Sequence, residues 1–121
     1  MPVISGFGVL AELPWERVTD KIERRVLAGQ QGMIVWWKMK AGAHAAAHRH
    51  PHEQIVNVLS GSFVMHVGDQ VHELGAGDTL VIPSEEEHSA EAITDVTCLD
   101  VFTPVREDYR KVSLCSQILQ Q

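Results

Sequence analysis

The residues best suited to chemistry lie between Gly42 and Gly61, in the run G-A-H-A-A-A-H-R-H-P-H-E-Q-I-V-N-V-L-S-G. An extended chain sends every second side chain to one face, so His48 and His50 are expected to point into one cavity. Gln54 keeps that parity across Pro51, and its amide oxygen offers a third, neutral donor. His88, which follows a second segment punctuated by Gly77 and Pro83, is the candidate fourth ligand. Imidazoles and an amide leave a divalent ion with its full double charge, which makes the ion a strong Lewis acid. This favours polarising a hydroxyl, ring oxygen or carbonyl over redox cycling, although the ligands alone do not rule out the latter. The expected cofactor is one divalent transition metal ion (Zn, Ni, Mn, Fe or Cu), since imidazole suits several of them. His44, His52, His66 and His72 are read as ordinary histidines, solvated or hydrogen-bonded.

The elements that must position these groups are short strands. Met1 to Thr19 is broken by Gly6, Gly8 and Pro14 and reads as an irregular lead-in arm, extending to about residue 20. Lys21 to Ala28 alternates, with Ile22 and Val26 on one parity, as a half-exposed strand does. Met33, Val35, Trp37 and Met39 form a clean apolar face. Trp36, on the opposite face, needs a cover, either the N-terminal arm or a subunit contact. Further strands are expected at Ile55–Leu59, Phe63–Val67, Val71–Leu74, Thr79–Ile82, Ser89–Ile93 and Val96–Thr103. Glu85, Glu86 and Glu87 read as a solvated loop. Strands of this length, turned at short intervals by Gly, Asp or Pro, predict an all-β sandwich or barrel. Leu114, Ile118 and Leu119 allow a short helical face in the tail, residues 107–121.

A chain of 121 residues makes one domain. Its composition, 45% hydrophobic and 21% charged, is that of a folded globular protein. The net charge of −6 argues against a nucleic-acid surface. No apolar run approaches a membrane span and Met1 to Leu13 lacks the form of a signal peptide, so a cytoplasmic setting is expected. Cys98 and Cys115 are read as free thiols.

The spacing Gly42, His48, His50, Gln54, Gly61 resembles the first motif of the cupin superfamily, with Gln54 in place of its acidic ligand. Gly77, Pro83 and His88 resemble the second motif, which starts fifteen residues after the first ends; Glu85 stands where that motif has glycine and Ala92 where it has asparagine. The resemblance covers about residues 33–103 and implies a single-domain cupin jelly-roll β-barrel. H-R-H-P-H-E-Q and L-D-V-F-T-P-V-R-E-D-Y look like the KdgF-type cupins, which turn 4,5-unsaturated monouronates from pectin or alginate into linear ketouronates.

In that group three histidines and a glutamine hold the metal, and an Asp, a Phe and an Arg line the pocket. Here these correspond to His48, His50, His88 and Gln54, with Asp100, Phe102 and Arg106. The resemblance implies Asp100 handling the proton delivered to C4, Arg106 pairing with the uronate carboxylate and Phe102 shaping the apolar wall. Asp100 and Phe102 share strand parity with Cys98, so they should face one side together. A homodimer paired through edge strands is also expected by resemblance. Two other readings stay open: a metal-dependent cupin dioxygenase, and a noncatalytic cupin that binds a sugar or small acid.

Overall fold

The computed structural model describes residues 7–108. The Leu114, Ile118 and Leu119 face and Cys115 lie outside the described residues. A 3-10 turn at Leu10–Glu12 leads into ten strands: β1 (Glu16–Thr19), β2 (Ile22–Ala28), β3 (Met33–Met39), β4 (His44–His48), β5 (Glu53–Ser60), β6 (Ser62–Val67), β7 (Gln70–Gly75), β8 (Thr79–Ile82), β9 (His88–Ala92) and β10 (Val96–Thr103). They form two antiparallel sheets, ordered β1-β2-β3-β10-β5-β8 and β4-β9-β6-β7. This is the all-β class the strand spacing predicts, in the jelly-roll form the family resemblance implies, folded as a single domain.

Alternation decides which side chains turn inward. On β10 Val96, Cys98, Asp100 and Phe102 are buried, while the residues between them are half-exposed. Their partners across the register are Met39, Trp37, Val35 and Met33 on β3, and Val56 and Gln54 on β5 face Asp100 and Phe102 from the other side. Two apolar clusters fill the space between the sheets. One gathers Val56, Phe63, Met65, Ile82 and Cys98; the other gathers Val26, Met33, Val35, Phe102 and Val105. Burying a side chain the size of Phe102 or Ile82 contributes about 2–3 kcal/mol each.

Two expectations need correction here. The N-terminal arm is not irregular to Thr19, because Glu16–Thr19 pairs with β2 as an edge strand. None of its residues is buried, so it carries no alternation for a sequence reading to find. Nor do His48, His50 and Gln54 share one strand. β4 ends at His48, His50 sits in the following turn, and Gln54 lies on β5 in the opposite sheet. Pro51 has no N–H to give a ladder, and the chain crosses between sheets at that point.

Trp36 is half-buried on the outer face of β3, opposite Arg25. Trp15 lies 4.3 Å from the Arg25 guanidinium and 4.3 Å from the Lys38 ammonium. The N-terminal segment therefore covers the surroundings of Trp36. Among the described residues no helix is long and apolar enough to cross a membrane.

Glycine positions follow the turns. At Gly61, φ is +83° and a Cβ would lie 1.9 Å from the Asp95 carbonyl oxygen, so only glycine fits between β5 and β6. Glu85 is the one non-glycine among the described residues with positive φ, at 64°, and its N–H donates to the His50 carbonyl at 2.8 Å. The loop around Glu85, Glu86 and Glu87 is exposed, as expected.

Candidate metal centre

The site is assembled from four separate elements. His48 comes from the end of β4, His50 from the turn after it, His88 from the start of β9 and Gln54 from β5. β4 and β9 are paired so that His48 stands opposite His88. One ring nitrogen from each of the three histidines lies within 4.8 Å of the others. Ring centroids are 4.3 Å apart for His48 and His88 and 4.9 Å for His50 and His88.

Each ring is turned by the same device. Nδ1 of His48 meets the Ala46 carbonyl at 2.8 Å, Nδ1 of His88 meets that of Glu86 at 2.8 Å, and Nδ1 of His50 meets that of His52 at 3.1 Å. A carbonyl only accepts, so Nδ1 carries the proton and Nε2 keeps its lone pair for another partner. A carbonyl on the far ring nitrogen is what commonly orients a metal-bound histidine. Nε2 of His88 is buried with no hydrogen-bond partner among the described residues, and an ion is the kind of partner that would satisfy it. The residues present therefore fit a divalent metal ion.

Burial favours the neutral form of His50 and His88. The His50 pKa is lowered to about 4, first by burial and then by the nearby Arg106 and His88 charges. That of His88 is also lowered, chiefly by burial. Neutral imidazoles are the form that ligates metal.

Gln54 connects the histidines to Asp100. Its Oε1 lies 3.2 Å from Nε2 of His50, while its Nε2 donates to Asp100 Oδ2 at 2.7 Å. Trp37 Nε1 donates to the same Oδ2 at 3.2 Å. The other oxygen, Oδ1, is buried with no hydrogen-bond partner. Burial raises the Asp100 pKa to about 7, against the lowering effect of the two donors. The Cys98 thiol is held in its neutral form by burial and by the neighbouring Asp100.

A cavity of about 100 Å³ is lined by His48, His88, Gln54, Asp100, Phe102 and Trp37, while His50 is not among its lining residues. The opposite wall is apolar, with Met39, Val56, Phe63 and Met65. Phe102 packs edge-on to His50, ring centroids 5.8 Å apart. Arg106 does not line this cavity. Its guanidinium stacks 5.4 Å from the Phe102 ring and pairs with the Asp108 carboxylate at 2.7 and 3.2 Å. It is nonetheless buried, just behind the pocket wall.

Two residues of this neighbourhood escape a sequence reading. Trp37 looks like one more member of an apolar strand face, yet its N–H reaches Asp100. A signal was available, since an inward tryptophan needs an acceptor for its indole N–H. Arg24 shares the inward parity of Ile22 and Val26 and is buried, 5.8 Å from the Trp37 ring and 3.4 Å from Glu16.

The comparisons with known proteins agree with this architecture. Residues 35–102 match the family described as Cupin domain. The pectin degradation protein KdgF of Dickeya dadantii is 31% identical over 101 residues, covering 81% of this chain and 92% of that protein. The structure of KdgF from Halomonas sp. superposes with a TM-score of 0.82 at 30% identity, covering 88% of this chain and 99% of the other. An RmlC-like cupin from Shewanella frigidimarina gives 0.83 at 28% identity, covering 90% and 99%. With its jelly roll, its two motifs and its histidine cluster at the mouth of β4 and β9, this chain belongs to the cupin family and is similar to KdgF over most of its length.

Proposed function

We propose that the protein is a metal-dependent enzyme that opens 4,5-unsaturated monouronates and tautomerises them to linear ketouronates. Its similarity to the KdgF proteins supports the substrate class. The observation that carries the reading is a cluster of three histidine nitrogens, two of whose residues, His48 and His88, line one cavity with a buried carboxyl whose Oδ1 has no hydrogen-bond partner among the described residues.

A divalent ion held by His48, His50, His88 and Gln54 would supply Lewis-acid polarisation of the substrate's oxygens. The protein's own groups divide the remaining work. In ring opening the C1–O5 bond breaks, C1 becomes an aldehyde as its hydroxyl loses a proton, and O5 gains a proton to give an enol at C5. In the second step C4 takes a proton from Asp100, and the enol hydroxyl returns one to the carboxylate. C5 becomes a ketone and the carboxyl is restored, so atoms and charge balance.

Asp100 suits this exchange. Oδ2 already accepts two N–H groups, so the mobile proton belongs on Oδ1. A carboxyl with its pKa raised to about 7 can both give and take a proton near neutrality. Arg106 binds the uronate carboxylate by exchanging Asp108, a half-exposed partner, for the substrate. Phe102 forms the flat apolar wall between that carboxylate and the histidines.

The test is product analysis in D2O. Metal-loaded protein with an unsaturated monouronate should yield the linear ketouronate carrying one deuterium at C4. An unchanged substrate, or uptake of oxygen in place of isomerisation, would move the assignment to a binding module or a dioxygenase.

A further inference from the structure

We propose that Trp37 is a positioning residue that sets the hydrogen-bond direction of the whole site and so decides which end of Gln54 faces the metal centre. The proposal deepens the metal-centre reading and rests on it, independently of which substrate is turned over.

Each group at the site has a fixed number of donors and acceptors. An indole N–H donates and never accepts. Trp37 Nε1 donates to Asp100 Oδ2 at 3.2 Å, which favours Oδ2 as the unprotonated oxygen, the better acceptor of the two. The second contact to Oδ2 comes from the Gln54 amide at 2.7 Å. An amide has two distinguishable ends, and an accepting oxygen selects the NH2. That choice turns Oε1 toward His50 Nε2, 3.2 Å away, and therefore toward the histidine cluster. If the indole N–H is removed, Oδ2 is no longer bound to accept. The Oδ2 that fixes the amide is then itself unanchored, and Gln54 can turn to present its NH2 to the histidines. An NH2 group has no lone pair for a cation, so the ligand is lost without any change in the ligand residues.

Trp37 is itself held from two sides. It stands opposite Cys98 on β10 and Arg24 on β2, and the Arg24 guanidinium lies 5.8 Å from its ring. The ring also lines the cavity, so its replacement is felt where the ligand sits.

The experiment measures Zn(II) affinity by chelator competition in four proteins: wild type, Trp37→Phe, Gln54→Ala and the double variant. Trp37→Phe should weaken Zn(II) about 10-fold, the lower end of what loss of an outer-shell partner costs. In the Gln54→Ala background the same substitution should cost nothing further, because no amide remains to turn. Equal loss in both backgrounds would make Trp37 a packing residue and overturn the proposal. So would no loss in either. Failure of the wild type to bind Zn(II) would remove the metal-centre reading and this proposal with it, whereas Zn(II) binding that is unchanged in Gln54→Ala would remove only the role of Gln54 and of Trp37.

If Trp37→Phe does not fold, nuclear Overhauser contacts in the wild type decide. The Trp37 indole hydrogen and the Gln54 amide hydrogens share one acceptor and should give a cross-peak. Amide hydrogens that instead contact the histidine rings would contradict the assignment.

Discussion

The histidine cluster and the Asp100 group meet in one cavity, but they are held by different kinds of contact. Each histidine ring is oriented by a backbone carbonyl two residues away in sequence. Asp100 is oriented by side chains 46 and 63 residues away, which reach it only because β3, β10 and β5 pair in one register. The first arrangement is built by local turns; the second exists only when the sheet is complete. Burial acts oppositely on the two, favouring neutral His50 and His88 by lowering their pKa values and neutral Asp100 by raising its own.

Breaking each half separately should give different losses. His88→Ala removes the buried histidine and should abolish metal binding and all metal-dependent turnover, leaving a folded protein with the circular dichroism of β structure. Retained stoichiometric metal in that variant would strike His88 from the ligand set. Asp100→Asn should keep the metal but lower turnover by about 10²- to 10⁴-fold, the usual worth of a general acid or base. A variant that turns over normally would leave Asp100 a structural residue.

A third comparison uses pH in chelator-treated protein. Asp100 has a folded pKa of about 7 against 3.8 for an exposed carboxyl, so its contribution to stability is lost as pH rises from about 4 to 7. His50 has a folded pKa of about 4 against 6.5, so its contribution is lost as pH falls over nearly the same range, and His88 acts in the same sense. In the wild type these slopes oppose one another. In Asp100→Asn the histidine slope is left unopposed, and urea midpoints should rise with pH between about 4 and 6.5. A midpoint that falls with pH in that variant would contradict the assignment of the two slopes.

The smallest effect concerns the turn that carries the His50 carbonyl contact. Glu85 has φ of 64° where the family motif has glycine. Glu85→Gly should raise stability by about 1 kcal/mol, the left-handed penalty of a residue with a Cβ. An equal or lower melting temperature would mean that the glutamate side chain offsets its backbone cost.

This difference between local and long-range support also explains what could be read from the sequence. The histidines and the strands from Met33 to Thr103 were legible because alternation and turn residues act over a few positions, and the jelly roll followed from the motif resemblance. The inward parity of Asp100 and Phe102 was legible for the same reason. That Gln54 belongs to the opposite sheet was not, since the crossover at Pro51 leaves the residue count unchanged and only the pairing reveals it. Nor was the indole bond of Trp37, which depends on register across β3 and β10. The edge strand β1 was missed because all of its side chains remain accessible and its pattern is therefore unconstrained.

The most direct measurement of the central claim is the conjugated ultraviolet absorbance of a 4,5-unsaturated monouronate, followed with metal-loaded wild type, chelator-stripped wild type and metal-loaded Asp100→Asn. Loss of absorbance above the spontaneous rate with the first protein alone is the result predicted by a metal centre and a carboxyl acting together. Equal rates with and without metal, or undiminished turnover in Asp100→Asn, would contradict it.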